Sequence, residues 1–278
     1  SILSDSAEGF SQGDKFVVID RVYDREGKSE VNLEIGKSGT STDPITWAAS
    51  GKVIIEAENR EGIRILWCKY NIIDGFIIEN ATIGIYSQCG GECFHEIRNN
   101  ILAYNNLGYD TYGDDNLSIH NNILFNNGTA LRLRYSSLDK IFDNIIYGNS
   151  SVMSPVSLSF IWNNKIFGNE EGINLYFASK TVVARNLIFK NSGSGIYIAE
   201  EADNNVIYHN IITANTSIGI ELNAGGYGSP DNTIIRNNII SENGNYGIWE
   251  ENGITGTNSD YNLYYNNGTD TYYGSATG

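Results

Sequence analysis

The sequence predicts an all-β fold: a single-stranded right-handed parallel β-helix, a solenoid of about eight or nine coils that stack on an asparagine ladder. Three observations lead to this prediction. An asparagine-containing motif recurs about every 22 residues, apolar residues alternate in short runs within each repeat, and the composition favours strands over helices.

The repeated motif is Asn-x-(Ile/Leu)-x-x-Asn, with the aliphatic position shifted by one in some copies. It occurs at residues 100–105, 122–127, 144–149, 164–169, 186–191, 210–215, 238–243 and 262–267, with a degenerate first copy at 75–80. Stacked coils bring equivalent residues to about 4.8 Å, where side-chain amides hydrogen bond to one another. We therefore expect the closing asparagines, from Asn80 to Asn267, to form a ladder and to adopt the left-handed backbone of a tight turn.

The segments between the motifs read as strands. Apolar residues alternate with a period of two, as in Gly219-Ile220-Glu221-Leu222, and no segment sustains a period of 3.6 residues. Tyrosine, isoleucine and asparagine are abundant while alanine and leucine are scarce, which also disfavours helices. One coil then holds three short strands and three turns.

The whole chain is predicted to be one domain, 1–278. Residues 1–50 form an N-terminal cap and opening coils, 51–267 the regular coils, and 268–278 a C-terminal tail. No run of 18 apolar residues occurs, so no membrane span is expected. The first residues lack a signal-peptide pattern, so either the chain is not exported or a signal has been removed; we expect an extracellular or cell-surface protein.

Charge and cysteine content restrict the partners. A formal net charge of −15 disfavours nucleic acid and anionic membranes, and also acidic polysaccharides unless calcium or local arginines intervene. Cys89 and Cys93 with nearby His95 loosely resemble a metal knuckle, but no second cysteine pair follows. A local disulfide or buried thiols, Cys68 included, are favoured over a zinc site.

The strand after each motif aligns across the coils, which predicts the side chains that point to solvent. The first outward column is Tyr86, Asp110, Arg132, Ser157, Asn174, Tyr197, Glu221 and Trp249, and the second is Gln88, Tyr112, Arg134, Ser159, Tyr176, Ala199, Asn223 and Glu251. The inward positions between them include Val156, Leu158 and Glu250.

This outward face suits a carbohydrate. Aromatic rings stack on sugar rings, and arginine forks bind carboxylates. The predicted substrate-binding residues are Tyr86, Asp110, Asn174, Tyr176, Tyr197, Glu221 and Trp249. The alternative is that these residues are ordinary cross-strand pairs.

The repeats, together with 13–18, 39–46 and 71–76, resemble the pectate-lyase-like right-handed parallel β-helix superfamily, the carbohydrate-binding and sugar-hydrolase repeat group. The resemblance covers nearly the whole chain and implies the fold. It does not imply one activity, because lyases, hydrolases, epimerases, adhesins and phage spikes share this fold.

Leu131-Arg132-Leu133-Arg134 is similar to a motif of chondroitinase-B-like and alginate lyases. That resemblance implies a catalytic Arg134, supported by Arg132, acting on a uronate-containing polysaccharide. The lysine base of that family is replaced by Tyr112, which we take as the candidate base.

Calcium is the predicted cofactor of such a lyase. Asp110, Asp114, Asp115 and Glu92 are its candidate ligands, because calcium takes six to eight oxygens. A solvated acidic turn is the alternative. Carboxylate pairs for a hydrolase (Asp114 with Asp115, or Glu221 with Glu250 or Glu251) and an epimerase-like Tyr112-Gly113-Asp114-Asp115 are less specific.

Two functions remain open from the sequence. The first is an extracellular carbohydrate-active protein that binds an acidic polysaccharide, with lyase activity. The second is a non-catalytic structural or adhesive module whose exposed end coils self-associate end to end.

Overall fold

A computed structural model describes residues 15–19, 22–23, 31–153 and 157–273. Within these residues the secondary structure is β-strand, and every strand pairing is parallel. The predicted right-handed parallel β-helix is confirmed. It has about ten coils instead of eight or nine, because coils that precede the first motif also contribute strands. The described residues include no helix long and apolar enough to cross a membrane.

The chain divides into two compact units, Ser1–Lys140 and Ile141–Gly278. The strands of unit 1 are β1 (Lys15–Ile19), β2 (Val22–Tyr23), β3 (Val31–Ile35), β4 (Ile45–Ser50), β5 (Ile54–Glu56), β6 (Glu61–Leu66), β7 (Asn71–Asp74), β8 (Ile77–Glu79), β9 (Ile83–Gln88), β10 (Gly91–Glu92), β11 (Glu96–Arg98), β12 (Ile101–Ala103), β13 (Leu107–Tyr112), β14 (Asp114–Asp115), β15 (Ser118–His120), β16 (Ile123–Phe125) and β17 (Thr129–Arg134).

The strands that follow are β18 (Lys140–Phe142), β19 (Ile145–Tyr147), β20 (Ser151–Met153), β21 (Phe160–Trp162), β22 (Lys165–Phe167), β23 (Ile173–Tyr176), β24 (Val182–Ala184), β25 (Leu187–Phe189), β26 (Ile196–Ala199), β27 (Val206–Tyr208), β28 (Ile211–Thr213), β29 (Ile220–Asn223), β30 (Ile234–Arg236), β31 (Ile239–Ser241), β32 (Tyr246–Glu250), β33 (Asn258–Asp260), β34 (Leu263–Tyr265) and β35 (Thr269–Tyr273).

Each coil of unit 1 contributes one strand to each of three sheets. Two of these sheets have the orders β1-β4-β7-β11-β15 and β2-β5-β8-β12-β16. The third, which we call the front sheet, has the order β3-β6-β9-β13-β17. A separate two-stranded sheet pairs β10 with β14, which follow β9 and β13 in the chain.

Unit 2 repeats this arrangement, with the orders β21-β24-β27-β30-β33, β19-β22-β25-β28-β31-β34 and β23-β26-β29-β32-β35. Residues 269–273 were expected in a C-terminal tail, but they form β35 and pair with β32. The division of the chain into one domain with a cap remains a prediction, and residues 1–14 lie outside the described residues.

Two asparagine ladders run through the coils instead of the one predicted. In unit 1, the side-chain amides of Asn100 and Asn105 donate to Oδ1 of Asn122 and Asn127 at 3.2 and 3.1 Å. In unit 2, the opening asparagines link from Asn144 to Asn262 and the closing ones from Asn149 to Asn267. Each Oδ1 also accepts the backbone N–H of the ladder residue one coil earlier, so every ladder residue joins two coils.

Asn80 does not belong to the ladder. It is exposed, and it is Ala81 N–H that donates to Asn105 Oδ1, at 2.9 Å. The left-handed backbone expected at the closing asparagines occurs at Asn80, but elsewhere it lies one residue before the closing asparagine. It occurs at Asn80, Tyr104 and Asn126, immediately before each ladder position. The ladder residue is therefore free to point its amide inward.

A third polar column lies inside unit 1. Asn71 N–H donates to Nδ1 of His95 at 3.2 Å, and Leu117 N–H donates to Oδ1 of Asp139 at 2.9 Å. Asp139 is fully buried, and burial raises its pKa to about 7 against the opposing effect of donors from Ser136 and Leu117. A carboxylic acid thus occupies a position that an amide could fill.

Candidate functional site

The front sheet aligns the predicted outward residues as neighbours on successive coils. Arg64 lies opposite Tyr86, Tyr86 opposite Asp110, and Asp110 opposite Arg132. Tyr112 lies opposite Arg134 in the adjacent column. The inward positions between these columns, Ile85, Tyr109 and Leu131 among them, are completely buried, so the core holds the backbone on which the outward side chains stand.

Asp110 is the centre of this surface. Its side chain is fully buried although it points outward, because two arginines cover it. Nε and an Nη of Arg132 donate to Asp110 at 2.9 and 2.8 Å, and the same groups of Arg134 donate at 3.3 and 2.9 Å. Hydrogen bonding to Asp110 raises the pKa of Arg132. One carboxylate fixes two guanidinium groups, and the triad carries one net positive charge.

Aromatic side chains border the triad. The guanidinium carbon of Arg134 lies 5.3 Å from the ring centroid of Tyr112, which in turn contacts Tyr135 edge to face at 5.1 Å. Tyr86 donates to Gln88 at 2.8 Å, and burial together with the charge of Asp110 raises the pKa of Tyr86. Arg134 therefore contacts the face of the Tyr112 ring.

Sequence reasoning missed three residues of this surface. Trp67 and Tyr135 are 70% and 79% exposed and stand at the turn that follows the front-sheet strands, and Arg64 extends the central column. Tyr135 was missed because it follows Arg134, the last outward position counted in its coil, and Arg64 and Trp67 were missed because their coil precedes the first motif. The exposure of Trp67 and Tyr135 as large aromatics is the signal that could have identified them.

The predicted register fails for the coil that follows residue 149. Its strand is β20 (Ser151–Met153), whereas Leu158, predicted to point inward, is 45% exposed with a left-handed backbone. Ser159, predicted to point outward, is buried. The strand begins two residues after Asn149, as β13 and β17 begin two residues after Asn105 and Asn127, so Ser157 and Ser159 lie beyond it. Val156 lies outside the described residues.

The remaining predicted binding residues belong to unit 2. Asn174, Tyr197, Glu221 and Trp249 are register neighbours there, with Tyr176 in the next column. Their surroundings are acidic. Burial and the charges of Glu171 and Glu251 raise the pKa of Glu221, which accepts a hydrogen bond from Ser194 at 2.5 Å. This surface would repel a polyanion.

The structure does not gather the predicted calcium ligands into one site. Both Asp110 oxygens are bound by arginines, and Asp114 is buried with Oδ1 accepting Cys89 N–H at 2.6 Å. Asp115 accepts from Ser137 at 2.7 Å and lies opposite Glu92. Two carboxylates offer at most about four of the six to eight oxygens that calcium takes.

A different cluster lies in the loop between β9 and β11. Cys89 and Cys93 form a disulfide, one of the two arrangements favoured from the sequence, and Cys68 is a buried thiol outside it. Among the described residues, one group of at least three His, Cys, Asp or Glu side chains has its candidate metal-ligand atoms within 4.8 Å of one another. This group consists of Cys89, Cys93 and His95.

His95 is completely buried in this cluster. Burial lowers its pKa to about 4, although hydrogen bonds to the backbone of Cys68 and Asn71 oppose the shift. Its Nε2 has no hydrogen-bond partner. An unpaired buried nitrogen beside two sulfur atoms fits a soft metal ion such as copper, once the sulfur atoms are thiolates.

Comparisons with known proteins agree with the fold. Residues 11–170 match the family model described as "Periplasmic copper-binding protein (NosD)", and residues 151–268 match "Right handed beta helix region". A search of curated proteins found no match.

Solved structures with this fold include several polysaccharide enzymes. The chain is similar to the A-module of the Azotobacter vinelandii mannuronan C-5 epimerase AlgE4, with 16% identity, a TM-score of 0.60, and coverage of 96% of this chain and 91% of that chain. It is similar to pectate lyase Pel9A, with 18% identity, a TM-score of 0.58, and coverage of 96% of this chain and 71% of that chain. It is also similar to the periplasmic alginate epimerase AlgG, with 15% identity, a TM-score of 0.51, and coverage of 89% of this chain and 79% of that chain.

Proposed function

Given that the chain belongs to the family described as periplasmic copper-binding protein (NosD), a family of extracytoplasmic proteins by that description, we propose that it works outside the cytoplasm and binds an anionic polysaccharide on its front sheet. The Cys89–Cys93 disulfide supports such a location, because disulfides persist in oxidising compartments. The observation that carries polysaccharide binding is the Arg132–Asp110–Arg134 triad with its aromatic border.

The triad suits a carboxylated sugar. Asp110 uses Nε and one Nη of each arginine, which leaves the second Nη of each guanidinium directed away from it. Those groups can donate to a uronate carboxylate without losing their fixed orientation. Trp67, Tyr112 and Tyr135 offer exposed rings on which sugar rings can stack.

Replacing Arg134 by alanine tests the binding. One charge-assisted hydrogen bond contributes about 1.5 kcal/mol or more, so the affinity for polygalacturonate or alginate should fall by at least about 10-fold. Arg98→Ala is the matched control, because Arg98 is also held by two carboxylates, Asp74 and Glu96, but lies in another sheet. Affinity is measured by calorimetry, with circular dichroism to verify folding.

Equal losses in both variants, or equal binding of neutral dextran, would contradict the proposal. If no polysaccharide binds and the protein instead assembles end to end, the structural or adhesive alternative replaces it. That self-association is so far only a prediction.

Cleavage by β-elimination is the finer form of this proposal. Arg132 and Arg134 would neutralise the uronate carboxylate, the Tyr112 phenolate would accept the C5 proton, and the C4–oxygen bond would break as the C4–C5 double bond forms. The leaving oxygen takes up a proton from water. Ultraviolet absorbance of the unsaturated product measures this reaction, and Tyr112→Phe should abolish it. Polysaccharide binding without that absorbance would limit the function to binding.

Copper binding is a second candidate function, favoured by the Cys89, Cys93 and His95 cluster and by the family description. These residues would hold the ion, and the soft sulfur donors select copper over calcium. Titration of the protein with copper, followed by metal analysis after gel filtration, tests this function independently of the front sheet.

A further inference from the structure

The loop that carries Cys89, Cys93 and His95 combines a closed disulfide with a buried nitrogen that has no partner. We propose that opening this disulfide converts the loop into a binding site for one monovalent copper ion, with the two thiolates and His95 Nε2 as ligands. The inference rests on the second candidate function and adds to it the ligand set and the redox control.

The loop keeps its shape without the disulfide. Cys89 N–H donates to Asp114 Oδ1 at 2.6 Å, Gly91 N–H to the Gly113 carbonyl at 2.6 Å, and Cys93 N–H to the Asp115 carbonyl at 3.1 Å. These bonds attach both cysteines to the next coil, and the two Cα atoms lie 6.1 Å apart. The reduced thiols therefore remain side by side, ready to bind one ion.

The disulfide itself adds little stability. It joins residues only four positions apart, and a short loop is where a cross-link restricts the unfolded chain least. Because the disulfide stabilises the fold so little, we attribute to it another role: it keeps both sulfur atoms from binding a metal ion until it is reduced.

His95 supplies the third ligand. Asn71 N–H donates to Nδ1 at 3.2 Å, so the proton of the neutral ring lies on Nε2. Copper takes the place of that proton on Nε2, and the proton moves to Nδ1, where the backbone of Cys68, which is hydrogen bonded to this ring, can accept it in exchange for the bond from Asn71. Two sulfur atoms and one nitrogen match the low coordination and soft donors of monovalent copper. Zinc would need a fourth ligand, and calcium needs oxygens.

Reduction of the disulfide and uptake of the copper ion are two separate steps. An external dithiol transfers two electrons and two protons to the Cys89–Cys93 bond and becomes a disulfide itself. The copper ion then displaces the two thiol protons and binds the two sulfur atoms. Cys89 is half-buried next to exposed Gly90, whereas Cys93 and His95 are buried, so reductant and ion enter from the Cys89 side.

The test compares oxidised and reduced full-length protein in anaerobic competition with a chromophoric chelator of monovalent copper. The reduced form should bind one ion per chain, and the oxidised form should bind at least about 10-fold more weakly, since loss of an outer-shell partner alone costs that much. X-ray absorption of the loaded protein should show two sulfur ligands and one nitrogen ligand.

Three variants assign the ligands. Cys93→Ser and His95→Asn should each weaken binding by at least about 10-fold. Asparagine at position 95 keeps an acceptor for Asn71 N–H, as Asn205 does for Thr181, so the coil should fold. Cys68→Ala should retain full affinity.

The outcomes distinguish copper binding itself from its control by the disulfide. If neither form binds copper, the second candidate function fails and the site with it. If both forms bind equally, copper binding stands and the redox control is overturned. If Cys68→Ala abolishes binding while His95→Asn does not, the proposed ligand set is wrong.

Discussion

Two buried aspartates of unit 1 show how neighbours determine the role of a residue. Asp110 faces two guanidinium groups, which compensate its charge and which it orients in return. Asp139 accepts hydrogen bonds from the Ser136 hydroxyl and the Leu117 N–H, with the carboxylates of Asp114 and Asp115 nearby. The first residue organises a surface, whereas the second makes stability depend on pH.

Asp139→Asn should remove that pH dependence. The folded-state pKa of Asp139, about 7, lies above the unfolded value of about 4. The free energy of unfolding is therefore unaffected by this group below about pH 4, and it falls as the pH rises from there through 7. Asparagine keeps the acceptor for Leu117 N–H and has no charge. The variant should gain a few kcal/mol in the free energy of unfolding at pH 8 and almost nothing at pH 4, as measured by urea titration.

The result would be contradicted if wild type and variant gave parallel stability curves from pH 4 to 8. Ser137→Ala is a suitable control, because the Ser137 hydroxyl donates to a different carboxylate, that of Asp115.

At the scale of the elements, the turns between short strands depend on the two ladders. Each ladder amide closes a turn by bonding backbone groups of adjacent coils, as Asn127 does with Asn105 N–H and the Leu102 carbonyl. Strands of three residues, such as β12 and β16, have few backbone bonds of their own. The ladders therefore hold the register between coils.

Asn127→Ala should destabilise the protein by about 2 to 4 kcal/mol, because Asn105 loses the acceptor of two buried N–H groups. Asn106→Ala, one residue from the ladder and exposed, should change stability by less than about 0.5 kcal/mol. Both are compared by chemical unfolding. Similar losses in the two variants would show that the ladder has no special role.

At the scale of the whole molecule, net charge opposes the local charge of the triad. The chain carries −15, so a polyanion is repelled at long range, while the arginines attract it only at contact. Salt screens the first interaction beyond about 10 Å at 0.1 M but weakens close hydrogen-bonded pairs much less.

The association rate with an anionic polysaccharide should therefore rise as salt is increased, opposite to the behaviour of a basic protein. Surface plasmon resonance at about 0.02 and 0.2 M salt measures this, with a neutral glycan as the control. An association rate that falls with salt would mean that the triad outweighs the net charge even at long range.

The sequence by itself determined the fold class, because a repeated asparagine leaves a periodic trace that needs no knowledge of distant contacts. It also determined which front-sheet residues point outward, from Tyr86 to Arg134, because alternation along a strand is a local rule.

Only the tertiary structure decided what those residues do. Asp110 was predicted to bind calcium, but the side chains of Arg132 and Arg134 occupy it, and such a choice depends on distances between coils. Trp67 and Tyr135 border the same surface, and His95 meets the two cysteines in the interior, through turns whose lengths vary from coil to coil. Turn geometry has no periodic signature, so the sequence pattern could not locate these contacts.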